Sequence, residues 1–200
     1  AAGATPRPAV TRPGRTVVFA TGNEHKVAEV AAILGSGWRV EALDPDVEET
    51  GDTFEENALI KARALAVAAG EVAVADDSGI EIDALDGAPG VQSARWTHEG
   101  DWIPRVLREL DGVRGEARSA RYVAAAAAAW PDGYEVVVRG VVEGHVPDAP
   151  RGTGGFGYDP IFVPAEGDGR TFAEMTAAEK HELSHRGRAF RELAPHLDRH

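Results

Sequence analysis

Cysteine is absent from this sequence of 200 residues. Its absence excludes disulfide bonds, thiolate nucleophiles and zinc sites built on thiolates. Long hydrophobic runs are absent as well. A membrane-spanning helix needs about 18 consecutive apolar residues, and the longest low-polarity stretch, residues 123–130, is shorter and mostly alanine. We therefore expect no membrane span.

Positive charge is scarce in the chain. It has 21 Lys and Arg against 33 Asp and Glu, which gives a net charge of −12. A strongly acidic chain repels long polyanions, so a role in binding nucleic acid is disfavoured. A small anionic substrate is still compatible with this charge if local Lys, Arg or a metal ion offsets the field.

The remaining composition indicates a globular protein. Hydrophobic residues make up 43% of the chain, and its length suits one domain with a sizeable core. Residues 1–15 are rich in Ala, Pro and Arg without a continuous apolar segment, so they do not resemble a secretory signal. We interpret residues 1–15 as a disordered leader and residues 16–200 as a single domain, with the cytoplasm as the default compartment.

Strand signals are spread along the whole chain. We predict strands at residues 16–20, 38–43, 71–75 and 80–84, and a hairpin of residues 118–130 with 134–145 around an Asp-Gly turn. The alanine run at 124–129 also suits a helix by propensity. The turn and the valine-rich partner segment favour a strand.

Helix signals alternate with these strands. Asn23 is a candidate cap for a helix to about residue 34, with Val27, Val30, Ala31 and Leu34 on one face. Capping-box patterns at 53–56 and 176–179 begin helices predicted to reach about residues 69 and 197, and residues 103–110 also favour a helix. Mixed helices and strands in one chain predict an α/β domain around a mixed sheet.

The first chemical motif is Thr21-Gly-Asn-Glu-His-Lys26, between the first strand and the first helix. A strand, a glycine turn and a helix start present free backbone N–H groups and the positive end of a helix dipole, which suit a phosphate. The second glycine of a P-loop is missing. Alone, the pattern also fits an ordinary helix start with a surface lysine.

Two acidic motifs follow. Glu48-Glu49 precedes a helix on which Asn57 and Lys61 are four residues apart and share a face, so the group could hold Mg²⁺ and phosphate oxygens or could be solvated surface. Asp76-Asp77 follows the apolar run 72–75. Adjacent carboxylates there are costly unless they are paired or bound to a metal, and such strand ends bind ligands in α/β sheets. Asp-Ser-Gly also makes plain turns.

Two further motifs suit a base. The run 154–160 places three glycines around Phe156, so the backbone can approach a flat ring and the side chain can stack on it. Lys180 and the run 184–187, with His185 and Arg186, supply donors for carbonyl or phosphate groups. Taken separately, the first could be a flexible turn and the second solvated helix-end charges.

Together, these five segments resemble the inosine triphosphate pyrophosphatase family. The match follows the family order from residue 16 to about 193, and the runs 20–26, 49–61, 75–95, 154–164 and 179–187 carry it. The resemblance implies an elongated, two-lobed α/β fold of the Maf/ITPase-like kind around a central twisted sheet. It also implies a homodimer with substrate in the cleft between the lobes.

The resemblance implies Mg²⁺-dependent hydrolysis of ITP, dITP and XTP to the monophosphate and pyrophosphate, which removes deaminated purines from the nucleotide pool. It makes Asp77 the general base and Glu48 and Asp77 the metal ligands, with Glu49 and Asp76 close by. The implied substrate-binding residues are Thr21, Gly22, Asn23, Glu24, His25, Lys26, Asn57, Lys61, Ser78, Phe156, Gly157, Tyr158, Asp159, Lys180, His185 and Arg186. Among them Phe156 stacks on the base, and Lys180, His185 and Arg186 read its 6-oxo edge.

Some features depart from the family or leave alternatives open. Residues 96–108 are shorter and less familiar than the family segment, which puts the lobe edge or dimer contacts in doubt. A Maf-type pyrophosphatase acting on modified or pyrimidine nucleotides is one alternative, and a nucleotide sensor without catalysis is another. The sensor predicts lost acidic ligands, yet all four acids are present. Rejection of GTP needs a donor or a wall near the 2-amino group, and the sequence does not locate it.

Overall fold

The structure is a computed structural model that describes residues 15–97 and 101–198. The leader predicted at residues 1–15 lies outside the described residues, except for Arg15, which begins the first strand. No helix in the described part of the chain is long and apolar enough to cross a membrane.

One mixed sheet organises the described residues. Its strands lie in the order β2-β1-β3-β4-β5-β6. β1 is parallel to β2 and β3, and the other neighbouring pairs are antiparallel. The predicted α/β class and mixed sheet are therefore confirmed. The strands are β1 Arg15–Ala20, β2 Trp38–Leu43, β3 Ala73–Ile82, β4 Ser119–Ala129, β5 Glu135–His145 and β6 Val163–Pro164.

Helices cover both faces of the sheet, and three of them, α1, α2 and α4, begin at predicted caps. Asn23 Oδ1 accepts hydrogen bonds from the backbone N–H groups of His25 and Lys26. Thr53 Oγ1 accepts from Glu56 N, but Glu56 returns its bond to Asp52 N, so the predicted capping box at 53–56 is only half formed. The helices are α1 Glu24–Leu34, α2 Phe54–Ala69, α3 Trp102–Glu109, α4 Ala177–Leu183 and α5 His185–Leu197.

The face predicted for α1 is partly wrong. Val30 is buried, but Ala31 is exposed, and Glu29 is buried beside Val30. The side of α1 that carries Glu29 faces the interior, because the Glu29 carboxylate has cationic partners on α4 and α5, as described below. Charge pairing therefore adds to apolar packing in setting its orientation.

The last helix is also different from the prediction. The capping box at 176–179 is present, but α4 ends at Leu183. Ser184 adopts an extended conformation with ψ of 153°, and its side chain caps α5 by accepting from Gly187 N. The chain turns at Ser184 because the serine side chain competes with the helical backbone.

The central strand β3 is longer than predicted. We expected one strand to end before Asp76-Asp77 and another to begin at Ile80. Instead β3 runs without a break from Ala73 to Ile82, since β4 pairs with it residue by residue along that length. Residue 84 lies in the short turn after β3. Pairing with a complete neighbouring strand outweighs the turn propensity of Asp-Ser-Gly.

The predicted hairpin of β4 and β5 is confirmed, and its alanines are strand residues. Ala125, Ala127 and Ala129 of β4 pack with α2 on one face. Ala124, Ala126 and Ala128 pack with α1 and α5 on the other. Small side chains on both faces let helices approach the sheet from each side.

Gly140 on β5 brings α5 very close to the sheet. A Cβ at this position would lie 2.1 Å from the carbonyl oxygen of His185. That distance is prohibitive, so only glycine allows the first turn of α5 to sit there. The close approach fixes where His185 and Arg186 enter the site.

Candidate active site

A cavity of about 470 Å³ opens where β1 ends and β3 continues. It collects residues from all five predicted motifs, which lie far apart in sequence. The predicted residues that line it are Asn23, His25, Lys26, Glu49, Lys61, Asp77, Ser78, Phe156, Gly157, Tyr158, Asp159, Lys180, His185 and Arg186. Gly79, the last residue of the Asp76–Gly79 motif, lines it too. Four further lining residues were not singled out by the sequence: Ser93, Ala94, Trp102 and Tyr122.

The other predicted residues lie around the cavity without lining it. Asn57 and Asp76 are buried behind its wall. Thr21 Oγ1 accepts from Asn23 N and so shapes the turn before α1. Gly22, Glu24 and Glu48 are exposed. The assignment of Glu48 as a metal ligand stays a prediction, and Glu49 is the acid of that pair in the cavity wall.

Asp76 and Asp77 point to opposite faces of the sheet. The sequence suggested a side-by-side pair, but successive side chains of a strand alternate in direction. Asp76 bonds to Lys26 on α1 and Arg186 on α5. Asp77 bonds to Asn57 on α2. One strand therefore supplies a carboxylate to two separate groups of side chains.

Asp76 belongs to a buried network of charges. Its oxygens lie 3.1 Å from Lys26 Nζ and 3.1 Å from Arg186 Nε. Burial by itself would raise the pKa of Asp76, but Lys26, Arg186 and Lys61 together hold that pKa well below its usual range. Arg186 also donates to Ser78 Oγ at 2.9 Å. Asp76 therefore stays ionised and fixes both cations.

Glu29 is a site residue that sequence reasoning missed. Its carboxylate accepts from Lys180 Nζ at 2.8 Å and from Arg186 Nη1 at 2.5 Å, and only 8% of the residue is exposed. Burial would raise the pKa of Glu29, but Arg186 and Lys180 lower it overall. No local signal marks Glu29, since its partners are 151 and 157 residues away.

We predict that Glu29→Gln lowers the free energy of unfolding, and that the size of this loss depends on pH. A lost charge-assisted hydrogen bond costs about 1.5–3 kcal/mol. Folding lowers the pKa of Glu29. The extra stability of the wild type over the variant should therefore be greatest above the unfolded pKa of about 4.3, and it should shrink as pH falls through the pKa of the folded state. Urea unfolding of both proteins between neutral and acidic pH measures this difference.

Glu24→Gln is the matched control, since Glu24 is exposed on the same helix. It should change stability little at any pH. A difference between wild type and Glu29→Gln that stays constant down to strongly acidic pH would contradict a role for the Glu29 charge.

Asp77 has a different environment. Its Oδ2 accepts from Asn57 Nδ2 at 3.1 Å and its Oδ1 from Ser78 N at 3.1 Å. In the described ranges no Lys or Arg nitrogen forms a salt bridge with it. Burial raises the pKa of Asp77, Lys61 opposes this, and the nearby Glu49 carboxylate adds to it. Asp77 is therefore a buried carboxylate that lacks a bonded cation.

Glu49 and Lys61 lie next to Asp77. Lys61 Nζ donates to Glu49 Oε1 at 2.7 Å and to the backbone oxygen of Asp76 at 2.7 Å. Arg95 donates to the other Glu49 oxygen at 2.6 Å. Burial would raise the pKa of Glu49, but Lys61 and Arg95 lower it. Two cations are thus held at the cavity edge by one carboxylate.

The carboxylates suit a hard divalent cation. Within residues 15–97 and 101–198, no three acidic or histidine side chains form a metal site by themselves. Mg²⁺ commonly binds through one or two carboxylates together with water and substrate phosphates. Asp77, buried without a cation of its own, and Glu49 beside it fit that pattern.

The other end of the cavity is aromatic and cationic. The Phe156 ring has Lys180 Nζ at 4.7 Å and Arg186 Cζ at 5.6 Å from its centroid, and His25 stacks on it at 5.4 Å. Asp159 holds the loop in place, because its Oδ2 accepts from Phe156 N and from Lys180 Nζ. This end therefore offers a flat ring and several N–H donors.

His185 completes this end as a neutral ring. It stacks on Tyr122 with centroids 4.3 Å apart and an interplanar angle of 3°. Burial, Arg186 and Lys180 all lower the pKa of His185 well below its ordinary value. The imidazole is uncharged at neutral pH, so it can act as either donor or acceptor.

Comparison with known proteins finds similar sequences over most of the chain. The model of the Ham1 family matches residues 17–196. A dITP/XTP pyrophosphatase of Symbiobacterium thermophilum is 53% identical over 88% of this chain and 91% of its own length. One of Streptomyces coelicolor is 50% identical over 90% of this chain and 95% of its own length.

Solved structures give the same result for the fold. A HAM1 protein from Coxiella burnetii is 37% identical, has a TM-score of 0.81, and aligns over 93% of this chain and 100% of its own. A dITP/XTP pyrophosphatase from Mycobacterium abscessus is 44% identical with a TM-score of 0.71, over 90% of this chain and 99% of its own.

Proposed function

Because the chain belongs to the Ham1 family, we propose that it is a nucleoside triphosphate pyrophosphatase for deaminated purine nucleotides. It hydrolyses ITP, dITP and XTP to the nucleoside monophosphate and pyrophosphate and so removes them from the nucleotide pool. The observation that carries this proposal is the cavity itself. It joins Asp77, a buried carboxylate with no cation bonded to it among the described residues, to a wall of Phe156, Lys180 and Arg186.

The phosphate tail lies at the end of the cavity formed by Asn23, Lys26 and Lys61. The start of α1 contributes the positive end of its helix dipole, and both lysines line this end of the cavity. A triphosphate carries roughly four negative charges, and these cations together with a metal ion offset them. These local positive charges offset the repulsion that the net negative charge of the chain would exert on an anionic substrate.

Asp77 accepts the proton of the water that attacks the α-phosphorus. Its raised pKa makes it a better base than an exposed aspartate, and Asn57 holds its orientation. Glu48, Glu49 and Asp77 are the residues that would hold Mg²⁺. When bound, Mg²⁺ supplies charge neutralisation at the phosphate oxygens and lowers the pKa of bound water.

Base selection follows from hydrogen-bond polarity. Lys180 and Arg186 present N–H donors beneath Phe156, and neutral His185 lies beside them. Hypoxanthine and xanthine carry an acceptor at position 6, whereas adenine carries a donor there. Two donors facing each other in a closed site cost about 1–3 kcal/mol per unpaired group. Adenine nucleotides are therefore disfavoured.

A panel of triphosphates tests the function. ITP, dITP and XTP should release pyrophosphate, while ATP and pyrimidine triphosphates should be poor substrates. Preference for pyrimidine or modified nucleotides would instead indicate the Maf-type activity. Binding without pyrophosphate release would indicate a sensor. Release of single phosphates would indicate an ordinary phosphatase.

Turnover should also need a divalent metal. With excess chelator we expect hydrolysis of ITP to stop, and added Mg²⁺ should restore it, because a carboxylate site without thiols favours this ion. Full turnover in chelator would contradict the metal assignment.

Homodimer formation rests on the resemblance alone. Light scattering at micromolar concentration should give twice the mass of the chain. A monomeric mass would overturn the dimer and leave the enzymatic proposal standing.

A further inference from the structure

Rejection of guanine has no counterpart among the residues described so far. Guanine shares the 6-oxo acceptor of hypoxanthine and xanthine, so Lys180 and Arg186 cannot distinguish them. The three bases differ at position 2, where xanthine has an oxygen, hypoxanthine a hydrogen and guanine an amino group. A hydrogen-bond donor at that edge would favour xanthine, accept hypoxanthine and repel guanine.

The structure holds an unused donor in the cavity wall. Three buried side-chain nitrogens have no hydrogen-bond partner in the part of the chain that the structure describes: Trp102 Nε1, His181 Nδ1 and His185 Nδ1. Of these residues only Trp102 and His185 line the cavity. An indole N–H can only donate, and leaving a buried donor unpaired is unfavourable. An acceptor on a bound ligand would recover that cost.

Trp102 packs among other lining residues than those proposed to read position 6. Its ring centroid is 6.1 Å from that of Tyr158, and it packs on the apolar cluster of Tyr122 and Phe162. Lys180 and Arg186 lie against Phe156. A base stacked on Phe156 with its 6-oxo group toward those cations leaves its other edges to the remaining lining residues, of which Trp102 is one.

The neighbouring polar groups of this wall are already engaged. Tyr158 donates its hydroxyl to the backbone oxygen of Ser93 at 2.7 Å. Tyr122 donates to Asp159 Oδ1 at 3.3 Å, and burial raises the pKa of its hydroxyl, which keeps the proton in place. Trp102 Nε1 is thus an unpaired donor on this side of the cavity, as far as the described residues extend. His185 Nδ1, the other unpaired nitrogen in the cavity wall, belongs to a neutral ring that can also accept.

We propose that Trp102 is a specificity-determining residue whose indole N–H meets position 2 of the purine, binding the 2-oxo group of xanthine and opposing the 2-amino group of guanine. This rests on the proposed pyrophosphatase function. The contact is made in the ground state and in the transition state alike, so it acts mainly on KM.

The test compares wild type with Trp102→Phe on XTP, ITP and GTP. Phenylalanine keeps an aromatic ring and removes the N–H. We expect kcat/KM for XTP to fall about 10-fold relative to ITP, mainly through KM, and kcat/KM for GTP to rise about 10-fold relative to ITP. ITP itself has no group at position 2 and should change little.

Trp96→Phe is the matched control. Trp96 packs on the same apolar cluster but does not line the cavity, and its ring faces Arg105. This substitution should leave the ratios of kcat/KM among XTP, ITP and GTP unchanged. Circular dichroism and thermal unfolding check that both variants fold. If Trp102→Phe does not fold, XMP and IMP binding to the wild type, followed by Trp fluorescence and calorimetry, replaces it, and tighter XMP binding is expected.

Three outcomes overturn the proposal. Unchanged ratios in folded Trp102→Phe mean that the N–H does not meet the base. An equal loss for all three substrates means that it contacts an acceptor common to all purines or only packs the wall. Equal or weaker binding of XMP than IMP has the same consequence. Failure of wild type to hydrolyse ITP would refute the pyrophosphatase function instead, so the two failures are distinguishable.

Discussion

Asp77→Asn should lower kcat for ITP hydrolysis by about 100-fold or more, the usual scale for a lost general base. The substitution preserves size, and an amide oxygen can still accept the bond from Asn57 Nδ2. It removes the negative charge and the basicity. Pyrophosphate release under saturating ITP and Mg²⁺ measures the effect. Substrate binding should survive in part, because Lys26, Lys61 and Phe156 remain.

Stability should move the other way in this variant. Folding raises the pKa of Asp77, so its charged form destabilises the folded state once pH rises through the folded value. The asparagine variant should therefore have an equal or higher Tm than wild type near neutral pH. The difference should disappear below the unfolded pKa of about 3.9, where both proteins are uncharged at this position.

Asp86→Asn is the control for Asp77→Asn. Asp86 is exposed in a turn with φ of 52°, a conformation that asparagine accepts. Its kcat should match wild type. A folded Asp77→Asn protein with near-normal kcat would refute the assignment, and Glu49, which also lines the cavity, would be the next candidate for the base.

Arg186→Ala should be the most destabilising single change in the site. Arg186 is 1% exposed and donates to Asp76, Glu29 and Ser78. Removing one member of a buried ion pair costs about 3–5 kcal/mol, because the partner charges stay buried. Urea unfolding measures the loss. In protein that remains folded, the ratio of kcat/KM for ITP to that for ATP should fall.

Arg186→Lys covers the case in which the alanine variant does not fold. Lysine keeps the charge but lacks the planar, forked guanidinium group. The Arg186→Lys protein should therefore fold and still show a lower ratio of kcat/KM for ITP to that for ATP than wild type. Arg188→Ala is the control on the same helix, since Arg188 is partly exposed and pairs with the exposed Glu166. If the Arg186 variants slow ITP and ATP equally, Arg186 is a general binding residue.

Local sequence signals predicted the outer elements of the fold well. Asn23 and Thr53 are real caps, and the strand at 38–43 has the predicted bounds. These features depend on nearby residues, so the sequence near each of them contains enough information. The alanine run forms a hairpin strand and not a helix, as predicted, because the Asp-Gly turn and the valines of β5 outweigh the helix propensity of alanine.

Long-range pairing explains where the sequence was insufficient. The continuity of β3 through Asp76-Asp77 depends on β4, whose partner residues Ala126 and Ala125 come about fifty positions later along the chain. Gly79 suggested a turn, but its role is spatial, because a Cβ there would lie 2.4 Å from the oxygen of Gly90. Glu29 and Trp102 have no recognisable motif, since distant residues create their environments.

The placement of Asp76 and Asp77 on opposite sides of β3 has an evolutionary consequence. The side of Asp77 contains the groups proposed for water attack, and the side of Asp76 anchors the cations proposed to read the base. Substitutions on one side leave most contacts on the other intact. Descendants of such a protein could acquire a new nucleobase preference through changes around Glu29 and Arg186 while inheriting the hydrolytic chemistry unaltered.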